Sequence, residues 1–195
     1  MKSNSNGNYR PKKIKYIIIG IVLASTIITI VSIYRINFSP RSKNERAIEA
    51  VMKSLLTCPD IELNRLIELS ALKVGPGFVE EPKPEDFERY NNKVNDMFGS
   101  YLTEITLDYI KASAFRYHTI AEEKGSEIQV EDIEINQDNI DSRNYTFTLH
   151  LYYTSPDADK KQLVVNGRAQ CLEAGKITFL RFSDDFFKNE FVNSY

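Results

Sequence analysis

The sequence contains no tryptophan, only two cysteines and only two histidines, so the side chains that most often build metal and redox centres are scarce. Neither a CxxC nor an HxxxH spacing occurs, which argues against the common zinc signatures. The Gly75-Pro76-Gly77 segment lacks the spacing of a phosphate-binding loop and indicates a turn. We therefore predict no metal and no cofactor, and the lack of a catalytic motif favours a protein that is not an enzyme.

Acidic residues are missing from positions 1–35, which hold six of the 25 lysines and arginines. Residues 36–195 therefore carry 19 basic residues against all 27 acidic ones, a net charge of −8. Because nucleic-acid phosphates demand clustered lysine and arginine, this acidic balance argues against a nucleic-acid partner. The abundance of asparagine, isoleucine and lysine is typical of an AT-rich bacterial gene.

A long uncharged stretch lies near the N-terminus. Its nineteen residues, 16–34, would extend about 28 Å as a helix that rises roughly 1.5 Å per residue, which matches the core of a bilayer. Lysines precede the stretch and Arg35 follows it, while Tyr16 and Tyr34 stand where aromatic rings favour the lipid headgroups. We predict a transmembrane helix over residues 16–35.

A cleaved signal peptide is the alternative, but its apolar region would be shorter and would end at a small-x-small site. The acid-free tail, residues 1–15, is predicted to lie inside the cell, and the acidic domain outside the cytoplasm. Residues 36–43 form a linker to this domain, residues 44–195. Four hydroxyl groups in the membrane segment are expected to bond to carbonyls of the preceding turn. They belong to Ser25, Thr26, Thr29 and Ser32.

Helical periodicity begins after the linker. Apolar residues from Ala47 to Leu56 share one face, which predicts a helix ending near Cys58-Pro59. Asp60 is the predicted N-cap of a second helix, followed by a loop over residues 74–83. A third helix is predicted with Pro84 in its first turn, and a further helical run over residues 103–115.

Beyond Gly125 the apolar period changes to two, which predicts strands. The first strand changes face at Glu131-Asp132, as a β-bulge would cause. The alternation from Tyr145 to Tyr153 marks the second strand, and a face from Leu163 to Cys171 marks the third. A hairpin leads into a fourth strand near Phe179, and residues 184–191 indicate a short capping helix.

The predicted fold is thus α+β, with three or four helices packed on a curved four-stranded antiparallel sheet. In its element order, bulged strand and long paired strands, residues 44–185 resemble the nuclear-transport-factor-2-like superfamily in its membrane-anchored bacterial form. The resemblance implies a cone-like domain with a pocket between sheet and helices. Bitopic scaffold subunits of conjugation and type IV secretion machines are similar in plan, with a short inside tail, one span and such a domain outside.

Two sets of side chains are candidate sites. Cys58 and Cys171 could form a disulfide in an exported domain, or remain two buried thiols. The polar face of the second strand could line the conical pocket that the resemblance implies, or form the solvated outer face of the sheet. The candidate pocket residues are Thr148, His150 and Tyr152, with Arg168 or Arg181 beside them.

Two functions fit these features. The first is a membrane-anchored, non-enzymatic module that binds a protein partner, including a further copy of itself, or helps to assemble an envelope complex. The second is a pocket-type domain that binds or transforms a small ligand with His150 and Arg168 or Arg181. The predicted partners of the first are the lipid bilayer, through residues 16–35, and a protein. A sensor would need an inside output domain, which a short tail does not supply.

Overall fold

The computed structural model describes residues 40–113, 115–156 and 158–182, together with Val22, residues 25–27 and Thr29. The rest of the predicted transmembrane segment and the predicted capping helix, residues 184–191, lie outside the described residues. Those described near the N-terminus are helical and exposed. Among the described residues, no helix is long and apolar enough to cross a membrane.

The hydroxyl bonds predicted for the N-terminal segment are present where that segment is described. The Ser25 and Thr26 hydroxyls each donate to the carbonyl oxygen of Val22 at 2.8 Å. The Thr29 hydroxyl donates to the carbonyl oxygen of Ser25 at 2.9 Å. Such bonds satisfy a hydroxyl within its own helix, so these polar residues do not require a partner outside it.

Residues 40–182 form an α+β fold with five helices and six strands in the described part of the chain. The first helix begins at Pro40 rather than at residue 44, so half of the predicted linker is helical, and proline suits a first helical position. The helices are α1 (Pro40–Leu56), α2 (Ile61–Ser70), α3 (Pro84–Phe98), α4 (Glu104–Ser113) and α5 (Arg116–Glu123). The strands are β1 (Lys73–Gly75), β2 (Phe78–Glu80), β3 (Glu127–Gln137), β4 (Asn144–Ser155), β5 (Ala158–Gln170) and β6 (Phe179–Phe182).

The predicted boundaries of the first three helices are largely confirmed. The apolar face of α1 is fully buried and packs against β3. Asp60 caps α2, because its side chain accepts a hydrogen bond from the Leu63 N–H at 3.0 Å. Pro84 lies in the first turn of α3, as predicted. Each of these three features depends on residues that are close together in the chain, so it can be predicted from the sequence.

Two elements differ from the prediction. Residues 74–83, predicted as a loop, contain most of a hairpin of β1 and β2, and Pro76-Gly77 forms its turn with Gly77 at φ +84°, as a type II turn requires. The single helical run predicted over residues 103–115 is the shorter helix α4. It is followed by α5, which was not predicted and which buries His118 and Ala121.

The last four strands form one antiparallel sheet in the order β3-β4-β5-β6. The register of β3 against β4 shifts between Val130 and Asp132, so Glu131 is the extra residue of the predicted β-bulge. Because of this shift, Ile128, Val130, Ile133 and Ile135 all contact the core. The apolar face of β4, from Tyr145 to Leu151, is buried beneath the helices.

On the sheet side of the core, the ring of Phe147 packs over Gly167 on β5. A Cβ atom at Gly167 would collide with that ring and would lie 2.7 Å from the Arg181 carbonyl oxygen. We expect Gly167→Ala to lower the free energy of unfolding by about 1–3 kcal/mol, the usual cost of overpacking. Chemical denaturation measures this cost, and Val164→Ala, at a half-exposed position of the same strand, is the control. Equal stability of the two variants would contradict this packing.

Candidate functional site

The structure places four of the predicted pocket residues, Thr148, His150, Tyr152 and Arg168, on the outer face of the sheet. His150 and Tyr152 alternate along β4 with the buried Leu149 and Leu151, so they point to the opposite side. Arg168 is exposed on the same outer face of β5. These four residues therefore belong to the solvated outer face of the sheet, the second of the two alternatives that the sequence left open.

His150 and Tyr152 belong to a polar network on that outer face. The Tyr152 hydroxyl donates to Glu131 Oε1 at 2.8 Å, and this bond raises the pKa of Tyr152. Lys160 Nζ lies 3.5 Å from the centroid of the Tyr152 ring, and His150 Nε2 lies 3.8 Å from Glu134 Oε1. The bulge places Glu131 on the outer face, where its carboxylate meets the Tyr152 hydroxyl.

Arg168 and Arg181 are brought together by the register of β5 and β6, where they lie directly opposite each other. Both side chains are exposed, and no acidic residue in the described part of the chain forms an ion pair with either. Like charges directly opposite on neighbouring strands destabilise a sheet. This arginine pair is therefore a candidate site for an acidic group from another molecule.

A groove of about 530 Å³ runs between α4 and β6 beside the arginine pair. Ile105 of α4 is 84% exposed and Phe179 of β6 is 48% exposed, and both line the groove together with Arg181. Sequence periodicity named Arg181 and Phe179 but could not find the groove, because α4 and β6 are distant in the chain. We call it the arginine groove.

The other exposed apolar surface is the hairpin of β1 and β2. Val74 and Val79 lie directly opposite each other on one face of the hairpin and are 71% and 65% exposed. Phe78, 56% exposed, lies on the other face with its ring over Gly75. Since every residue of both strands is exposed or half-exposed, neither face is covered by another described element. We call this element the apolar hairpin.

The environment of His118, the other histidine, indicates a structural role. It is fully buried in α5, and its Nδ1 atom accepts a hydrogen bond from the Asp60 backbone N–H at 3.0 Å. Its Nε2 atom has no hydrogen-bond partner among the described residues. Desolvation lowers the pKa of His118, although the nearby Asp60 carboxylate and the carbonyls of Leu55 and Ser54 oppose this effect. The neutral ring therefore joins α5 to the start of α2.

Polar side chains support the same junction. Asn64 donates to the His118 carbonyl oxygen at 2.9 Å and to Glu122 Oε2 at 2.5 Å. Lys93 Nζ lies 3.3 Å from Asp60 Oδ2 and 2.7 Å from Glu62 Oε2. These bonds hold α2, α3 and α5 together near the start of α2, whereas the apolar hairpin follows the other end of α2.

Cys58 and Cys171 are both buried free thiols, and desolvation raises their pKa values to about 12 and about 11. Cys58 forms a bridge with Ile128, which pairs with Tyr153, whereas Cys171 follows Gln170 and lies near the other end of β4. The two thiols are thus separated by most of the length of β4, about 30 Å at roughly 3.3 Å per residue. A disulfide needs Cα atoms less than about 7 Å apart, so of the two alternatives the structure has two buried thiols and not the Cys58–Cys171 bond.

The described residues contain no group of three or more histidine, cysteine or acidic side chains that could hold a metal ion. Comparison of the chain with protein-family models, curated protein sequences and solved structures finds no significant match. The resemblance to the nuclear-transport-factor-2-like superfamily accordingly stays a prediction.

The environment of His118 predicts a pH dependence of stability. Because the pKa of His118 is lower in the folded chain than its ordinary value of 6.5, the unfolded chain binds a proton that the folded chain does not. The free energy of unfolding is therefore expected to decrease as the pH falls below about 6.5. Asp60, whose pKa is lowered from 3.8 by bonds from Leu63 and Lys93 that outweigh desolvation, adds a second loss at lower pH.

Thermal unfolding between pH 7.5 and about pH 5 tests the contribution of His118. In His118→Gln, the amide oxygen can still accept from the Asp60 N–H, but the side chain does not titrate. This variant is expected to be less stable at pH 7.5 and to lose less stability on acidification. His150→Gln is the matched control for the replacement of a histidine outside the helical layer. A wild-type slope in His118→Gln would contradict the prediction.

Proposed function

We propose that this protein is a single-pass, membrane-anchored interaction module that works as a structural subunit and not as an enzyme. Its folded domain lies outside the cytoplasm and contacts another protein through the apolar hairpin. The observation that carries this proposal is the exposure of Val74, Phe78 and Val79 on an element that no other described element covers. The uncharged stretch over residues 16–34 supports the anchor.

Exposed apolar side chains that cluster on one element usually mark an interaction site. A two-stranded hairpin is at best marginally stable in water, and three-residue strands bury little surface between them. A hairpin of this kind is stabilised when a partner covers its side chains. Phe78 has the features of a central contact residue, because aromatic side chains dominate the binding energy of many interfaces.

Glu80 ends β2 opposite Lys73 and Glu81 follows it, so this end of the apolar hairpin lacks the cluster of basic residues that an anionic lipid surface attracts. Glu80 and Glu81 are exposed and form no ion pair with any residue in the described part of the chain. Anionic lipids attract clusters of lysine and arginine and repel carboxylates. The chemistry of this surface therefore fits an apolar protein site with basic residues at its rim.

The anchor is tested by fractionation of cells that produce the full-length chain. We expect the protein to remain in the membrane fraction after gentle lysis and a carbonate wash, because nineteen uncharged residues stay in lipid. Protease added to intact cells, with any outer wall or membrane made permeable, should degrade the domain and leave a cytosolic marker protein intact. Recovery of the chain in the soluble fraction, or protection of the domain from the protease, would contradict the proposed location.

The interaction is tested by affinity capture of the full-length chain from detergent-solubilised membranes. Wild type is compared with the double variant Phe78→Ser/Val79→Ser, and bound proteins are quantified by mass spectrometry. We expect the recovery of at least one reproducible partner to fall about tenfold or more, as loss of an interface hot spot causes. Ile140→Ser removes an apolar side chain that is 99% exposed in a distant turn and is the matched control. Equal recovery in wild type and the double variant would refute a role for the hairpin.

A further inference from the structure

We propose that the partner of the apolar hairpin is a second copy of this chain, and that the hairpin of one copy docks in the arginine groove of the next. This inference rests on the proposed function of the hairpin and names the site that receives it. Two features support it: matching apolar surfaces and opposite unpaired charges on a single chain.

The two surfaces match in chemistry. The apolar hairpin presents Val74, Phe78 and Val79, and the arginine groove presents Ile105 and Phe179 along a volume of about 530 Å³. Burial of apolar side chains on both partners is the main favourable contribution to association. Each surface alone leaves large apolar side chains in water, and docking removes both from solvent at once.

The charges beside the two surfaces are opposite. Glu80 ends β2 opposite Lys73 and Glu81 follows it, while Arg181 lines the groove and Arg168 lies opposite Arg181 on β5. Within the described residues, none of these glutamates and arginines forms an ion pair. A carboxylate between two facing arginines would relieve their mutual repulsion and form charge-assisted hydrogen bonds. The arginine groove therefore selects an acidic apolar segment.

Acidic residues of α4 do not provide this carboxylate. Glu104 and Asp108 line a separate groove of about 590 Å³ with Lys111 and Lys176. Lys111 Nζ lies 3.7 Å from Asp108 Oδ1, and Lys176 donates to the Gly99 carbonyl oxygen. The neighbouring groove thus pairs acids with lysines, whereas Arg181 is the charged residue among the described residues that line the arginine groove. Arg168 lines a further groove of about 410 Å³, which also contains Asp138.

One copy cannot dock its own hairpin. The hairpin precedes α3, and the groove lies beyond the other end of α3, where Leu102 forms a bridge with Ile177. The fifteen residues of α3 extend about 22 Å at 1.5 Å per residue. The hairpin strands have three residues each and do not span this distance. The contact must therefore join two molecules.

Because the hairpin and the groove are different surfaces, their contact is heterologous, or head-to-tail. Every copy that docks its hairpin still offers a free groove, and every copy that fills its groove still offers a free hairpin. Copies can therefore add in succession until a ring closes. Such an assembly suits a subunit that builds a larger structure at a membrane.

Sedimentation velocity of the full-length chain, purified in mild detergent, tests the inference. Wild type is expected to form dimers and larger species as the concentration increases. Phe78→Ser/Val79→Ser on the hairpin and Arg168→Glu/Arg181→Glu at the groove should each weaken self-association about tenfold or more. Ile140→Ser and Lys161→Glu are controls for loss of an apolar and of a basic side chain at other exposed positions. Circular dichroism confirms that each variant is folded.

Mixing and charge exchange distinguish this contact from other modes of association. An equimolar mixture of the hairpin variant and the groove variant retains one productive contact per pair, so it should form dimers and nothing larger. Combining Glu80→Lys/Glu81→Lys with Arg168→Glu/Arg181→Glu in one chain should restore the self-association that each pair of changes abolishes. Both results would support the head-to-tail contact.

Three results would overturn the inference. The first is a wild-type chain that stays monomeric. If membrane capture still yields a partner that depends on the hairpin, this result rejects the self-contact and leaves the proposed function intact. The second is self-association that persists in the hairpin variant or in the groove variant. The third is binding of the wild-type hairpin to vesicles of zwitterionic lipid that is lost in Phe78→Ser/Val79→Ser, without any self-association.

Discussion

The fold depends on one constraint, the burial of a single face of β4. This strand pairs along most of its length with β3 on one side and β5 on the other, so its side-chain alternation sets the faces of the whole sheet. Tyr145, Phe147, Leu149 and Leu151 lie beneath the helices and leave almost no surface to solvent. A slip of one residue would place the polar side chains of β4 in the core. That face is therefore fixed, and His150 and Tyr152 are directed outwards.

The helical layer depends in turn on a polar junction at one end. His118 accepts from the Asp60 N–H, while the Asp60 side chain caps α2 and contacts Lys93 of α3. The junction orients α2 and α3, and the apolar hairpin connects these two helices. The hairpin leaves these two helices at the ends opposite the junction and contributes little to the core.

Local signals in the sequence were sufficient for much of this architecture. The face of α1, the Asp60 cap, the bulge at Glu131 and the alternation of β4 each depend on residues that are close in the chain. The apolar hairpin was missed because its strands have only three residues, too few to establish a period. Helix α5 was missed because its burial depends on the bond from Asp60 to His118, which joins residues 58 positions apart.

The candidate sites likewise depend on contacts between residues that are distant in the chain, which the sequence does not give. Alternation placed His150, Tyr152 and Arg168 on one face, but it could not decide whether that face was inside or outside the fold. The pairing of Arg168 with Arg181 follows from the register of β5 and β6, which is set by the turn between them and by Gly167 beneath Phe147. The separation of Cys58 from Cys171 likewise becomes clear only when the strands are aligned, since the spacing of cysteines in the chain does not give their distance in space.

The bulge in β3 has a consequence for copies held at high density. An outer strand with free peptide groups is a template on which the strand of a neighbouring molecule can add without limit. Here the extra residue at Glu131 breaks the regular spacing of those groups, and the bridge from Cys58 to Ile128 occupies the start of the strand. Four carboxylates on the strand, those of Glu127, Glu131, Asp132 and Glu134, repel the same strand of another copy. Crowded molecules are thereby protected from fibrous aggregation at this border of the sheet.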